Sequence, residues 1–337
     1  MNLILAVASL FAAIFPMFTY LLIIWWLDRN EREPFWLLFL NFIWGATGAI
    51  ILGIIGSILF QIPLTTFLQA VSDGDASKLV ELSSAIITAP VVEETTKGLF
   101  LLFMMMGRNF DGAVDGVVYG AAIGLGFGMT ENFLYFLSVV NVPTQWIFTV
   151  IVRTLFSAVM HSMSQATFGF FLGLAKFRPA ILKVIFIPTG FLIAVFLHFT
   201  WNFTVSFTAT TVFGFLILIL YFMALFAVFQ IALFAESKMI IRELQEESQY
   251  GIIPSDHLLY IPYVSRRNKS GWCPQGIPQK IYVQASIRLA FRKNEYRHSS
   301  VVKQQEYLRD IEQLRKKIQS MLNNEHKSYT NSQPFFN

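Results

Sequence analysis

The sequence predicts an all-α fold: a polytopic membrane helix bundle of about seven transmembrane helices followed by a cytosolic tail. Three observations carry this. Of 337 residues, 55% are hydrophobic and only 14% charged, against about 25% charged in soluble domains, and the mean hydropathy is +0.56. Apolar runs of spanning length recur at about residues 3–27, 35–60, 84–106, 113–140, 146–175, 181–207 and 211–235. Finally, the Lys and Arg residues between the runs fall on alternate connections.

The first run has no basic segment before it and no small-residue cleavage site, so it is expected to be a retained span rather than a signal peptide. Arg29 and Arg32 follow that run, Arg108 follows the third, and Lys176, Arg178 and Lys183 separate the fifth from the sixth. The other connections hold only Lys78 among acids, or no Lys or Arg at all. By the positive-inside rule the N-terminus is extracytoplasmic and the tail cytosolic, in a multi-pass protein of the cytoplasmic membrane. Asp73-Gly74-Asp75 lacks the further ligands and spacing of a calcium loop and reads as a solvated turn.

The expected domains are residues 1–236, the transmembrane part, and 237–337, the tail. Through Glu236 there are nine Lys/Arg and twelve Asp/Glu; beyond it the numbers are 16 and nine. Such a basic tail suits anionic lipid at the cytosolic face, and nothing points to nucleic acid. Pro254, Pro262, Pro274 and Pro278 mark an irregular stretch. Leu308, Ile311, Leu314, Ile318 and Leu322 make 301–322 an amphipathic helix, free to dock on the membrane, the bundle or another copy. A single cysteine, Cys273, excludes an intrachain disulfide and a CxxC metal site.

The third run carries Glu93, Glu94 and Lys97. Burying such groups in hydrocarbon costs roughly 2.5–3.5 kcal/mol each, so they are expected to be paired, wet or chemically active. Glu93 and Lys97 are four apart and share a helix face. Glu94 is turned about 100° away and is expected to be the freer carboxylate. On the fourth run Gly112, Gly116, Gly120, Gly124 and Gly128 recur every fourth residue, a groove that lets another helix backbone approach. Glu131 follows on that rigid helix. Arg153 and His161 lie on the fifth run, His198 and Asn202 on the sixth; His161 and Gln165 share one face, as do His198 and Asn202.

Counting along the helices puts Glu94, Glu131 and His198 at one depth, with His161 deeper on a long helix. A carboxylate with two histidines permits two chemistries. Glu94 can act as base on a water while His198 and Asn202 stabilise the oxyanion. Alternatively Glu94, Glu131, His161 and His198 include ligands for zinc, with a position left for water. No HExxH pair is present and Asn202 is a poor zinc ligand, so no stoichiometric metal is expected. A proton-coupled transporter using the same Glu and His residues is the competing reading, although the two halves show no repeated broken helices. A membrane anchor for a signalling tail leaves the aligned polar residues unexplained.

Four motifs in order resemble the PrsW family of intramembrane proteases, within the CAAX-prenyl-protease-like superfamily. They are Glu93-Glu94-Thr-Thr-Lys97, Phe127-Gly-Met-Thr-Glu131-Asn132, His161 on the next span, and His198-Phe-Thr-Trp201-Asn202. The Asp28-Arg29-Asn-Glu-Arg32-Glu33-Pro34 loop is similar to the family's first cytosolic loop. The resemblance covers about residues 20–205 and implies a CAAX-protease-like core. It also implies a glutamate-type endopeptidase with Glu93, Glu94, Glu131, His161, His198 and Asn202 as site residues. The implied substrate is a single-span membrane protein, as in the family's cut of anti-sigma factors. CAAX-type relatives carry histidine where this chain has Glu131.

Overall fold

The computed structural model describes residues 2–72, 75–299 and 301–330, and for 302 and 324–330 only the backbone. Of the Asp73-Gly74-Asp75 turn, Asp73 and Gly74 lie outside the described residues. No strand occurs among the described residues. Among the described residues, six helices are long and apolar enough to cross a membrane: Leu3–Leu27, Phe35–Val71, Ala113–Ser138, Pro143–Ala175, Ala180–Ser206 and Thr211–Gln249. The seventh expected span is also helical, but its Glu93, Glu94 and Lys97 set it apart from the six by composition.

The elements are α1 (Leu3–Leu27), α2 (Phe35–Trp44), α3 (Ile50–Val71), α4 (Ser77–Ser83), α5 (Ala89–Met105), α6 (Ala113–Ser138), α7 (Pro143–Val152), α8 (Ala158–Ala175), α9 (Ala180–Ser206) and α10 (Thr211–Gln249). After them come a 3-10 turn, Ser255–Leu259, then α11 (Val264–Arg267), α12 (Gln279–His298) and α13 (Val301–Thr330). Single π turns join α2 to α3 (Gly45–Ala49), α4 to α5 (Ser84–Thr88) and α7 to α8 (Arg153–Ser157). Such turns are rare and concentrate at functional sites.

The chain forms two compact units. The first comprises residues 1–28 and 33–229. Its centre is α6, of which 17 residues from Val114 to Phe136 are buried. The glycine stripe meets α8 backbone to backbone. A β-carbon placed on Gly120 would lie 2.2 Å from the Gln165 carbonyl oxygen, and one on Gly124 would lie 2.2 Å from that of His161. No side chain fits in that gap, so glycine sets the spacing of the two helices and fixes the height of His161 and Gln165 against α6.

The second unit comprises residues 29–32 and 230–337. It has its own apolar core, including Ile240, Leu244, Ile253, Ile261, Tyr282, Leu289, Ile311 and Ile318. The stretch expected to be irregular supplies Ile253, Ile261 and Ile277 to that core, and α13 packs on α12 of the same unit, an outcome outside the three docking surfaces expected for it. Glu243 and Glu247 are fully buried. Lys293 Nζ lies 2.8 Å from Glu247, Arg297 Nε donates to Glu243 at 3.0 Å, and Arg315 makes a bidentate pair with Glu247 at 2.7 and 2.6 Å. Burial alone would raise the Glu247 carboxyl, but the donors Arg315 and Lys293 more than offset it and hold it below its usual 4.5. Residues 29–32 join this unit through Asn30, whose amide donates at 3.1 Å to the Leu233 carbonyl and to Glu236.

Candidate active site

Three of the four helices that carry the expected residues meet at one point, and the fourth is held beside it. Glu93, Glu94 and Lys97 come from α5, Glu131 from α6, His161 from α8 and His198 from α9. His161 Nε2 is 2.7 Å from Glu131 Oε2, and the His161 and His198 rings stand edge to face with centroids 4.8 Å apart.

The expected Glu93–Lys97 pair is present, but Glu94, expected to be the freer carboxylate, is paired more closely still. Lys97 Nζ is 2.7 Å from Glu94 Oε1 and 3.4 Å from Glu93 Oε2. A lysine reaches carboxylates both three and four residues before it, so spacing permits either partner and burial selects Glu94. Glu94 Oε1 also takes His198 Nδ1 at 2.8 Å, and its Oε2 accepts from Gln165 at 2.7 Å. With both oxygens engaged and none of its surface exposed, Glu94 is the bound carboxylate and Glu93, 15% exposed, the freer one.

Proton inventory then fixes what each imidazole presents. A carboxylate only accepts, so the nitrogen facing it carries the hydrogen. Glu131 thereby holds the proton on His161 Nε2, and Glu94 holds it on His198 Nδ1. In the neutral imidazoles the other nitrogens keep their lone pairs: His161 Nδ1 takes Lys97 Nζ at 2.9 Å, and it and His198 Nε2 stand 4.0 and 3.9 Å from Glu93 Oε2, beyond hydrogen-bond reach. Ligand atoms of Glu93, His161 and His198 all lie within 4.8 Å of one another. This donor set fits a divalent metal: two nitrogens and a carboxylate oxygen, each imidazole oriented by a second carboxylate, as ligating histidines characteristically are. Of the four ligands considered from the sequence, His161 and His198 belong to this candidate set, Glu94 and Glu131 instead hydrogen-bond their rings, and Glu93 takes the carboxylate place.

Asn202 stands apart. Its amide donates at 2.8 Å to the Ala85 carbonyl, and the backbone explains why. In the π turn the Ala89 N–H reaches five residues back to Ser84. The next bond in that register would run from residue 90 to Ala85, but Pro90 has no N–H. Asn202 satisfies the carbonyl that Pro90 leaves open. The oxyanion role expected from the sequence thus meets a residue already committed to the backbone of the helix that carries Glu93 and Glu94.

Two residues without an assigned role enter the site. Arg153, at the head of the third π turn, lies 2.7 Å from Glu131, donates to Asn132 at 3.1 Å and stacks 3.6 Å over the Tyr135 ring. Gln165 holds Glu94. The signal was in the sequence: a lone arginine in an apolar span needs a partner, and Gln165 is one turn from His161. Phe127 covers the cluster, 3.9 Å from Lys97 Nζ and 5.2 Å from the His161 ring.

Comparison with known proteins identifies the family. The family model described as PrsW family intramembrane metalloprotease matches residues 33–229, which holds every residue of the cluster. A protein named Protease PrsW from Geobacillus kaustophilus is 28% identical over 172 residues, 51% of this chain and 68% of that protein. Its namesake from Bacillus subtilis is 27% identical over 121 residues, 36% of this chain and 53% of that protein. For the Oceanobacillus iheyensis namesake the figures are 27% over 179 residues, 53% and 74%. No solved structure matches the chain. The match runs through more than half of the sequence and through all four motif helices, and the chain belongs to the PrsW family of intramembrane proteases.

Proposed function

We propose that this protein is an endopeptidase of the cytoplasmic membrane. It hydrolyses a peptide bond of a single-span membrane protein, of the anti-sigma-factor type, with a water held at the Glu93–His161–His198 triangle. The observation that carries this is the pair of imidazoles, each tied by a carboxylate on one nitrogen and presenting the other toward Glu93. A metal bound by Glu93, His161 and His198 would supply a water of lowered pKa and polarise the scissile carbonyl.

The chain's own residues then divide the remaining work. Glu94, fixed by Lys97 and Gln165, keeps His198 in one tautomer and one orientation. Glu131 does the same for His161, and its Oε1 makes no hydrogen bond among the described residues. That oxygen takes the proton of the attacking water and returns it to the leaving amine. Arg153, braced by Asn132 and Tyr135, offers its guanidinium to the developing oxyanion. Phe127 keeps bulk water from the buried side.

The basic connections favour an extracytoplasmic N-terminus and a cytosolic C-terminal unit against anionic lipid. The test uses purified protein in lipid vesicles with a labelled single-span substrate. Wild type is expected to cut it at one bond, and Glu93→Gln and Glu131→Gln are expected not to. Proton flux across the vesicle without cleavage would overturn the peptidase reading in favour of the transporter.

A further inference from the structure

Lys97 sits where a metal on His161 would have to sit. Its Nζ is 2.9 Å from His161 Nδ1, the nitrogen whose lone pair Glu131 leaves available. It is also within 3.4 Å of Glu93, so it touches two of the three candidate ligands, and it is fully buried. A zinc ion would lie about 2.0–2.1 Å from the same nitrogen, and one lone pair serves one partner.

We propose that Lys97 is the resident cation of this site: its ammonium competes with a divalent metal for His161 Nδ1 and Glu93, and so sets how tightly the chain holds metal. This rests on the reading of Glu93, His161 and His198 as the metal-holding set. Displacement does not strand the ammonium. Glu94, its closest partner at 2.7 Å, and the face of Phe127 at 3.9 Å remain when His161 and Glu93 are given up.

Charge balance points the same way. The cluster holds Glu93, Glu94 and Glu131 against Lys97 and Arg153, one net negative charge. A divalent ion added to that set leaves one net positive charge in a buried site. With the lysine charge removed, the loaded site is neutral, which burial favours. Most metal sites surround the ligands with acceptors and orienting carboxylates; a lysine against a ligand nitrogen is a built-in competitor.

The experiment is zinc titration of the full-length protein in detergent micelles against a chelator of known affinity, comparing wild type with Lys97→Met, Lys97→Arg and Glu93→Gln. Lys97→Met is expected to bind zinc at least about tenfold more tightly, since a unit charge a few ångströms from the ion is gone. Lys97→Arg, which keeps the charge, should bind no more tightly than wild type, and Glu93→Gln should bind more weakly. If circular dichroism shows Lys97→Met unfolded, Lys97→Gln reads the same quantity while keeping a donor for Glu94. Equal or weaker binding by the neutral variants overturns the competition, and so does an equal gain in Lys97→Arg. No zinc uptake by any variant overturns the ligand set itself. Proteolysis is not the readout, so a failure of the peptidase reading shows separately.

Discussion

Gly124→Ala isolates the role of the helix seam. The new β-carbon would stand 2.2 Å from the His161 carbonyl oxygen and 2.5 Å from the Ser162 α-carbon, where ordinary contact begins at 3.4 Å. Both obstacles are backbone, so no side chain can swing away; α6 and α8 must part by roughly 1 Å. Overpacking of this kind costs about 1–3 kcal/mol, offset by about 1 kcal/mol from the better helix propensity of alanine. The stability loss is therefore modest. The catalytic loss is expected to be larger, because a displacement of about 1 Å at a reacting group costs on the order of 10²-fold. Gly116→Ala is the control: its β-carbon would meet the Gly169 carbonyl oxygen at 1.9 Å, two turns from Gly124 along the same seam. The assay pairs turnover of a single-span substrate with thermal melting in micelles. Comparable melting losses are expected, with turnover collapsing in Gly124→Ala alone. Equal turnover losses in the two variants, or wild-type turnover in Gly124→Ala, would refute the claim that the seam positions His161.

The closer pairing of Lys97 with Glu94 changes what substitutions of the two glutamates should do. Glu93→Gln is expected to abolish turnover with little change in melting, whereas Glu94→Gln should lower the melting temperature, because Lys97 loses its closest partner and stranded buried charges cost about 3–5 kcal/mol. The reverse order, measured by melting and kcat on both variants, would restore Glu94 as the free carboxylate. Asn202→Ala leaves the Ala85 carbonyl without its donor and should cost about 0.5–1.5 kcal/mol; a turnover loss of 10²–10³-fold without destabilisation would instead mark Asn202 as an oxyanion donor. In the C-terminal unit the depressed Glu247 carboxyl contributes stability present above its unfolded value near 4.5 and lost as pH falls through the lower folded value. Melting of the unit should therefore worsen on acidification below about pH 4.5, and Arg315→Ala should lower its stability at neutral pH by about 1–3 kcal/mol while flattening the acid dependence. An unchanged acid profile in Arg315→Ala would show that Lys293 alone sets the carboxyl.

Much of the bundle was legible because membranes constrain sequence strongly. Spans must be long and apolar, and charged groups inside them are rare enough to single out Glu93, Glu94, Lys97, Glu131 and Arg153 at once. The glycine stripe announced a close helix contact, and the contact is there, against α8. Which residues of α8 it would fix was not legible, since a stripe says that a backbone approaches and not at what register. The C-terminal unit was harder. Its core draws single residues such as Ile253, Ile261 and Ile277 from segments rich in proline and glycine, and no helical period advertises them.

The division of labour between adjacent glutamates shows where sequence reasoning stops. A lysine at position 97 stands four residues from Glu93 and three from Glu94, and both spacings place a carboxylate within its reach. Helix geometry leaves that choice open. It is settled by two residues distant in sequence: Gln165, held at its height by Gly120, closes one oxygen of Glu94, and His198 closes the other. With three donors on it and no exposed surface, Glu94 is the less accessible carboxylate, and Glu93 keeps the more open position. Asn202 follows the same logic. Its place one turn after His198 suggested a shared task, but Pro90 on the neighbouring helix had already created a carbonyl in need of a donor. In each case the partner is a polar group on another helix, which spacing along one helix does not reveal.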